Sequence, residues 1–337
     1  MAVPDSSPAS HQPLFTPSPH CRLPAPPAPL SDSQIASLDA LRSHIHDTVV
    51  TSPAERAWTD DACLLRYLRA RKWSLADAKV AVRDTLRWRK SFNPMVADRD
   101  VLWTETASGK IYVSGFDIES RPLLYMKPRH ENTSASPAQI RHLVFHLEVA
   151  IALMPKGVDN LCIIIDFEGS SMTKNPGVGI AREILYILGN HYPEHLGKAY
   201  MLNAPWFFFP FYKLISPFID PVTKGKLNFA DMKKQSRKTI VSTPSSTNAS
   251  EVDLSSSTAT STHLKTGSSS SSAASTSGPV SDNSGILDTI PHDMLEEAYG
   301  GSSNYVYNRE IYWEAAEKAL AHARSALEQE HTSDSQP

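Results

Sequence analysis

HYPEHLGKAYMLNAPWFFFPFYKLISPFIDPVTKGK, residues 191–226, joins a charged turn to a strand, an aromatic helix and a second polar turn. Two polar clusters bracketing an oily helix suit a site that grips a polar head and hides an apolar tail. Upstream, LCIIIDF at 161–167 is an uninterrupted apolar run closed by a carboxylate, the pattern of a strand buried on both faces of an α/β sheet. A helix is expected at 178–190, followed by the strand KAYMLNA. Strand, helix and strand in succession predict a βαβ unit and a sheet flanked by helices.

Working outward, KIYVSGFD and RPLLYMKP are short, rich in branched and aromatic residues, and separated by a turn at residues 118–120, so they read as paired strands. Ser136 and Pro137 open a helix whose apolar face carries Ile140, Leu143, Val144, Leu147 and Ile151, ending near Met154. Residues 33–95 form a helical lobe: Ser33 is a candidate cap for Ile35, Leu38, Leu41 and Ile45, Asp60 for Cys63, Leu64, Tyr67 and Leu68, and Ser74 for a third helix. Residues 1–32 read as a disordered leader, because nine of the chain's 25 prolines fall in the first 30 positions and deny it helix. Of the 40 residues at 241–280, 22 are Ser or Thr, too polar to offset the entropy of ordering, so 231–282 is expected to be a disordered insertion. It interrupts a domain spanning 100–308, which resumes with a short strand around Tyr305; a C-terminal helix and tail occupy 309–337. Loop-closure entropy grows only logarithmically, so such an insertion costs little stability.

Composition narrows the function. With 337 residues and 41% hydrophobic content the chain can build a substantial core. A net charge of -3 supplies no global field for a nucleic-acid backbone, which argues against DNA or RNA as partner. Cys21, Cys63 and Cys162 are odd in number and lack metal-ligand spacing, which fits a reducing compartment and no zinc site. No apolar run reaches the roughly 18 residues that would span a bilayer, and the first 30 residues lack the pattern of a signal peptide. The expectation is a cytoplasmic protein that touches membranes peripherally.

Each polar motif also has a plain structural reading. LLRYLRARKWSLADAK, residues 64–79, can be a solvated cationic face near a helix C-terminus. Tyr192, Pro193 and Glu194 can be a helix stop, and DPVTKGK at 220–226 a surface turn. PWFFFPFYKLISPFI can be a buried helix broken by Pro210 and Pro217. GVGIAR at 177–182 resembles half of a dinucleotide fingerprint, but Arg182 stands where the third glycine belongs and KAYMLNA ends without the acidic residue. An NAD-dependent oxidoreductase is therefore a remote alternative, and no GxSxG, P-loop or HExxH motif offers a catalytic constellation.

Taken in order, LLRYLRARKW, YPEHLGK, NAP, PFIDPVTKGK and IPHDMLEEAYGG resemble the CRAL-TRIO family of yeast-type phosphatidylinositol transfer proteins. GFDIESRPLLYMKP and NAPWFFFPFYKLISPFIDP look most similar to its fungal pleiotropic-drug-resistance subgroup. The resemblance implies a CRAL-TRIO fold: a helical lobe and a mixed, mainly parallel sheet around a lipid cavity, with a mobile gate helix. It implies a lipid head-group site of Arg71, Glu194, Thr223 and Lys226, supported by Tyr192, Asp220 and His195, while Arg66 and Arg69 are left as structural. Trp206, Phe207, Phe208, Phe211 and Phe218 would form the gate. The family has arginine where this chain has His195, so any phosphate contact there should be weaker and pH dependent.

On the cavity wall, members that exchange phosphatidylcholine carry hydroxyls where this chain has Leu124, Leu161 and Ile163. An unpaired choline phosphate would lose roughly 1 to 3 kcal/mol per missing partner, so phosphatidylcholine is not expected as a ligand and a sterol is. The implied function is carriage of phosphatidylinositol between phospholipid membranes, or its presentation to lipid kinases, with no enzymatic step and no cofactor. The implied location is peripheral, on endoplasmic reticulum, lipid droplets or the cell periphery. A lipid sensor that binds without transferring, with a phosphorylated serine-rich loop, is the alternative from another class.

Overall fold

The computed structural model describes residues 9–172, 177–232 and 285–333, with side chains through residue 329. Four helices build the N-terminal lobe: α1 (Asp32–Thr48), α2 (Pro53–Trp58), α3 (Asp61–Ala70) and α4 (Leu75–Phe92). Asp60 and Ser74 cap α3 and α4 through their side chains, as their positions predict. The cap of α1 is Ser31, not Ser33. Gln34 lies three residues after Ser31 and its side-chain oxygen accepts from the Ser31 amide, completing a capping box that Ser33 has no partner to make. The faces carrying Leu41, Ile45, Leu64, Tyr67 and Val82 meet in a closed apolar cluster.

Beyond the short helix α5 (Arg99–Glu105), the strands β1 (Ile111–Phe116), β2 (Pro122–Met126), β3 (Leu161–Asp166), β4 (Leu196–Leu202) and β5 (Leu227–Ala230) lie side by side in that order. The β1–β2 hairpin is antiparallel, and β2 to β5 are parallel. Parallel neighbours need crossovers. They are α6 (Pro137–Ala152) between β2 and β3, and α7 (Val178–His191) between β3 and β4. Ser136 stands at the N-cap of α6 without a capping side-chain bond, so Pro137 alone marks the start. From β4 to β5 the chain crosses through α8 (Phe208–Ile215) and α9 (Pro221–Gly225).

Register aligns Leu124, Ile163, Ala199 and Leu227 in one row and Met126, Ile165, Met201 and Phe229 in the next, both on one face by the two-residue period of a strand. On β3, Ile163 and Ile165 are only partly buried, whereas Leu161, Cys162 and Ile164 are closed off. The expectation of burial on both faces is thus corrected for the face that α8 overlies. Behind the sheet sit α10 (Gly285–Thr289) and the segment leading to α11 (Arg309–Ser333): the Tyr200 hydroxyl donates to the Gly285 carbonyl at 2.7 Å, and Tyr125 stacks on Tyr299.

Residues 1–8 of the leader lie outside the described residues, and from residue 9 onward it differs from its expectation. Residues 9–22 lie against the free edge of β1 and the turn after it, with a turn of their own at 18–21: Gly115 donates its amide to Leu14, Leu14 to the Ser114 hydroxyl, and Arg22 to Ile118, while Phe15 meets Tyr312 edge-on. Proline forbids helix but leaves extended backbone able to satisfy an unpaired strand edge. The strand expected around Tyr305 is a single bridge to Ser10 from this same leader. Of the serine-rich insertion expected at 231–282, residues 233–282 lie outside the described residues.

Candidate functional site

The turn between α7 and β4 is held from below by the helical lobe. Thr85 and Tyr67 donate to the carbonyls of Asn190 and His191, and the Trp88 ring stacks on His191 at 4.3 Å. Tyr192 is 4% exposed and its hydroxyl donates to Glu148 of α6 at 2.6 Å; Glu148 also receives both terminal nitrogens of Arg89 at 2.7 and 3.2 Å. The Tyr192 side chain therefore faces inward and fixes the turn, instead of standing with the residues it was expected to support.

Above this anchor, Glu194 adopts a left-handed conformation, φ 63°, which lifts its side chain toward α3. Its carboxylate lies 3.7 Å from Arg69 Nε. Asp159, ahead of β3, accepts from Arg66 at 3.5 Å and lies 3.8 Å from Arg69, and its backbone carbonyl meets His195 Nδ1 at 3.0 Å. Arg71 terminates α3 and donates to the Asn190 side chain at 3.1 Å. Burial, reinforced by Arg66, pushes the His195 pKa down to about 3. The ring is then neutral at physiological pH, and the pH-dependent phosphate contact expected of it is corrected: His195 is a fixed spacer.

Asp220 caps α9, accepting from the Thr223 amide at 2.9 Å and from its hydroxyl. Partial burial opposes its charge, but these bonds hold the carboxyl below its ordinary range. Lys226 follows at the start of β5 and donates to the Leu196 carbonyl at 2.6 Å. Leu196 is two residues past Glu194, so Glu194, Thr223 and Lys226 lie at the end of the sheet where β4 and β5 begin, with Arg71 held by Asn190 beside the turn that leads into β4. The crossover from the far end of β4 must return here, which carries α8 along the apolar face. Phe208 packs there on Phe167, Met201 and Phe229, with ring centroids 4.6 Å from Phe167. Phe207 and Phe211 are half-buried, whereas Trp206, Phe209, Leu214 and Phe218 are exposed. Leu124 and Leu161 are buried on the face that α8 overlies, with Ile163 partly so.

Two family models match this arrangement of lobe and sheet: "CRAL/TRIO, N-terminal domain" over residues 37–84 and "CRAL/TRIO domain" over residues 106–242. The chain belongs to the CRAL-TRIO family. A CRAL-TRIO domain-containing protein of Schizosaccharomyces pombe is 51% identical over 77% of this chain and 20% of its own length. The phosphatidylinositol transfer protein PDR17 of Saccharomyces cerevisiae is 38% identical over 56% of this chain and 57% of its own. The chain thus spans a fifth to somewhat over half of these relatives. A solved structure described as "Crystal structure of Sfh5" is 16% identical over 59% of this chain and 81% of that one, with a TM-score of 0.47.

Within this CRAL-TRIO domain, three polar residues that frame the site escaped the motifs: Asp159, Asn190 and Glu148. Glu148 did carry a signal, as a lone carboxylate inside HLVFHLEVAIAL, where a buried charge demands a partner. Among the described residues no helix is long and apolar enough to cross a membrane.

Buried histidines give the domain a pH signature. Burial pushes His146 down to about 4, and burial with the nearby Arg89 does the same to His191; His195 lies at about 3. An unfolded histidine titrates near ~6.5. Between these values the unfolded chain binds more protons than the folded one, so this stability is complete above ~6.5 and is lost as pH falls toward 4. Thermal unfolding midpoints measured from pH 7 to 4 should decline throughout that window; a flat profile down to pH 5 would show these rings to be solvated.

Proposed function

We propose that the chain binds phosphatidylinositol and transfers it between membranes. One observation supports the reading: Glu194, Thr223 and Lys226 lie at one end of an apolar sheet face overlaid by an aromatic helix, with Arg71 beside the turn that leads there. Cations and hydroxyls there suit an inositol phosphodiester, the carboxylate suits inositol hydroxyls, and the face suits acyl chains. PDR17, a relative, bears the name phosphatidylinositol transfer protein, which supports the same chemistry. Carriage needs no bond-making step and no cofactor.

The finer assignments belong to this proposal. Leu124, Leu161 and Ile163 offer no hydroxyl to a choline phosphate, which supports a sterol as second ligand over phosphatidylcholine. Presentation to lipid kinases is the use we assign to the carried lipid. The exposed aromatic residues of α8 support peripheral residence on intracellular membranes.

The test is mass spectrometry of lipids extracted after incubation with mixed vesicles. Wild type should emerge with phosphatidylinositol, and Lys226→Ala with about tenfold less or lower still, because one charge-assisted contact is lost. Wild-type protein that emerges empty, or Lys226→Ala that loads fully, would overturn the reading.

A further inference from the structure

We infer that Arg69 is a third cation of the head-group site, placed to hold the lipid phosphodiester beside Glu194; this role rests on the inositol-lipid function proposed above. The three arginines of LLRYLRAR differ in how they are engaged. Arg66 is 13% exposed and hydrogen-bonded to Asp159, a packed structural ion pair. Arg71 is tied to Asn190. Arg69 is 36% exposed, and its nearest carboxylate oxygens are 3.7 Å away on Glu194 and 3.8 Å away on Asp159, close enough for attraction but too far for a hydrogen bond. Among the described residues its guanidinium makes no side-chain hydrogen bond, so its fork of donors is attracted to the site without being spent in it.

The chemistry of the proposed ligand requires a cation at this place. A phosphodiester brought up to Glu194 meets a carboxylate, with the Asp159 carboxylate close behind, and two like charges at contact distance repel unless a cation lies between them. The residue that follows Glu194 cannot supply that charge, because the His195 ring is turned into the protein against the Asp159 carbonyl. Lys226 approaches from the β5 side. Arg69 is the cation that already touches the field of Glu194, and a planar guanidinium can face a carboxylate along one edge and a phosphate along another. Its position on α3, three residues after Arg66, makes that placement rigid, since Arg66 pins the helix to Asp159.

The experiment loads wild type, Arg69→Gln, Arg69→Lys and Arg87→Gln from phosphatidylcholine vesicles containing phosphatidylinositol. It reads bound phosphatidylinositol per protein, its dependence on salt, and the unfolding midpoint. Arg87 is a surface control of the same charge on α4, 71% exposed. Expected are a loss of about tenfold in Arg69→Gln at an unchanged midpoint, partial loading in Arg69→Lys, wild-type loading in Arg87→Gln, and a shallower salt dependence in Arg69→Gln. Full loading of Arg69→Gln overturns the assignment, as does a loss that follows a lowered midpoint. Wild type that carries no phosphatidylinositol overturns the functional reading, and this role with it.

Discussion

Replacing Arg89 with methionine is expected to cost about 3–5 kcal/mol, the penalty of leaving a buried carboxylate without its counter-ion. Glu148 is 3% exposed, on a helix whose neighbours are almost all apolar. Burial alone would discourage the charge on Arg89, but Glu148 beside it holds the guanidinium more firmly protonated than usual. Two hydrogen bonds join the pair, and Arg89 further stacks over Trp58 at 4.7 Å. Urea unfolding would measure the loss. A change below about 1 kcal/mol would mean that water reaches the pair and that it behaves as a surface bridge. Converting Glu148→Gln in the same chain should recover part of the loss, because the amide leaves no stranded charge.

That prediction also concerns the proposed site. Arg89 belongs to the helical lobe and Glu148 to α6, while Tyr192 shares the same carboxylate and begins the turn that presents Glu194. The lobe is therefore the platform under the turn. A variant that opens the pair should loosen the turn as well as the lobe.

Much of the architecture was legible because its signals are local. LCIIIDF announces a central strand, and the caps at Asp60 and Ser74 are each set by one side chain and the helix that follows. Ser31 won the cap of α1 through Gln34, a reciprocal pair that apolar spacing does not weigh. The leader misled for a related reason. Proline excludes helix, but whether an extended chain is free or bound depends on a strand edge nearly 100 residues away. The candidate residues can be picked from the sequence as types but not as orientations: Glu194 faces Arg69, while Tyr192, two positions earlier, turns inward to Glu148. Only the fold decides which way a turn presents consecutive side chains.

The same distinction between inward and outward sharpens the expectation for α8. Phe208 is 5% exposed and sits in the cluster with Phe167 and Met201, so a polar residue there should damage the fold and report little on function. Trp206, Phe209, Leu214 and Phe218 are 77%, 39%, 55% and 51% exposed, a set of large apolar side chains around one short helix. Such a surface is costly in water and suited to the interface of a bilayer. Immersing about a quarter of each side chain would contribute roughly 1 kcal/mol apiece. Changing all four to serine is therefore expected to weaken vesicle binding about a hundredfold or more and to slow phosphatidylinositol transfer in parallel, with the unfolding midpoint preserved. Co-sedimentation and transfer between donor and acceptor vesicles would measure the two effects. Unchanged transfer by the folded quadruple variant would remove α8 from the exchange step and leave its aromatic surface without a role in carriage. Lost vesicle binding with retained equilibrium loading would separate docking, through the outward residues of α8, from recognition at Glu194 and Lys226.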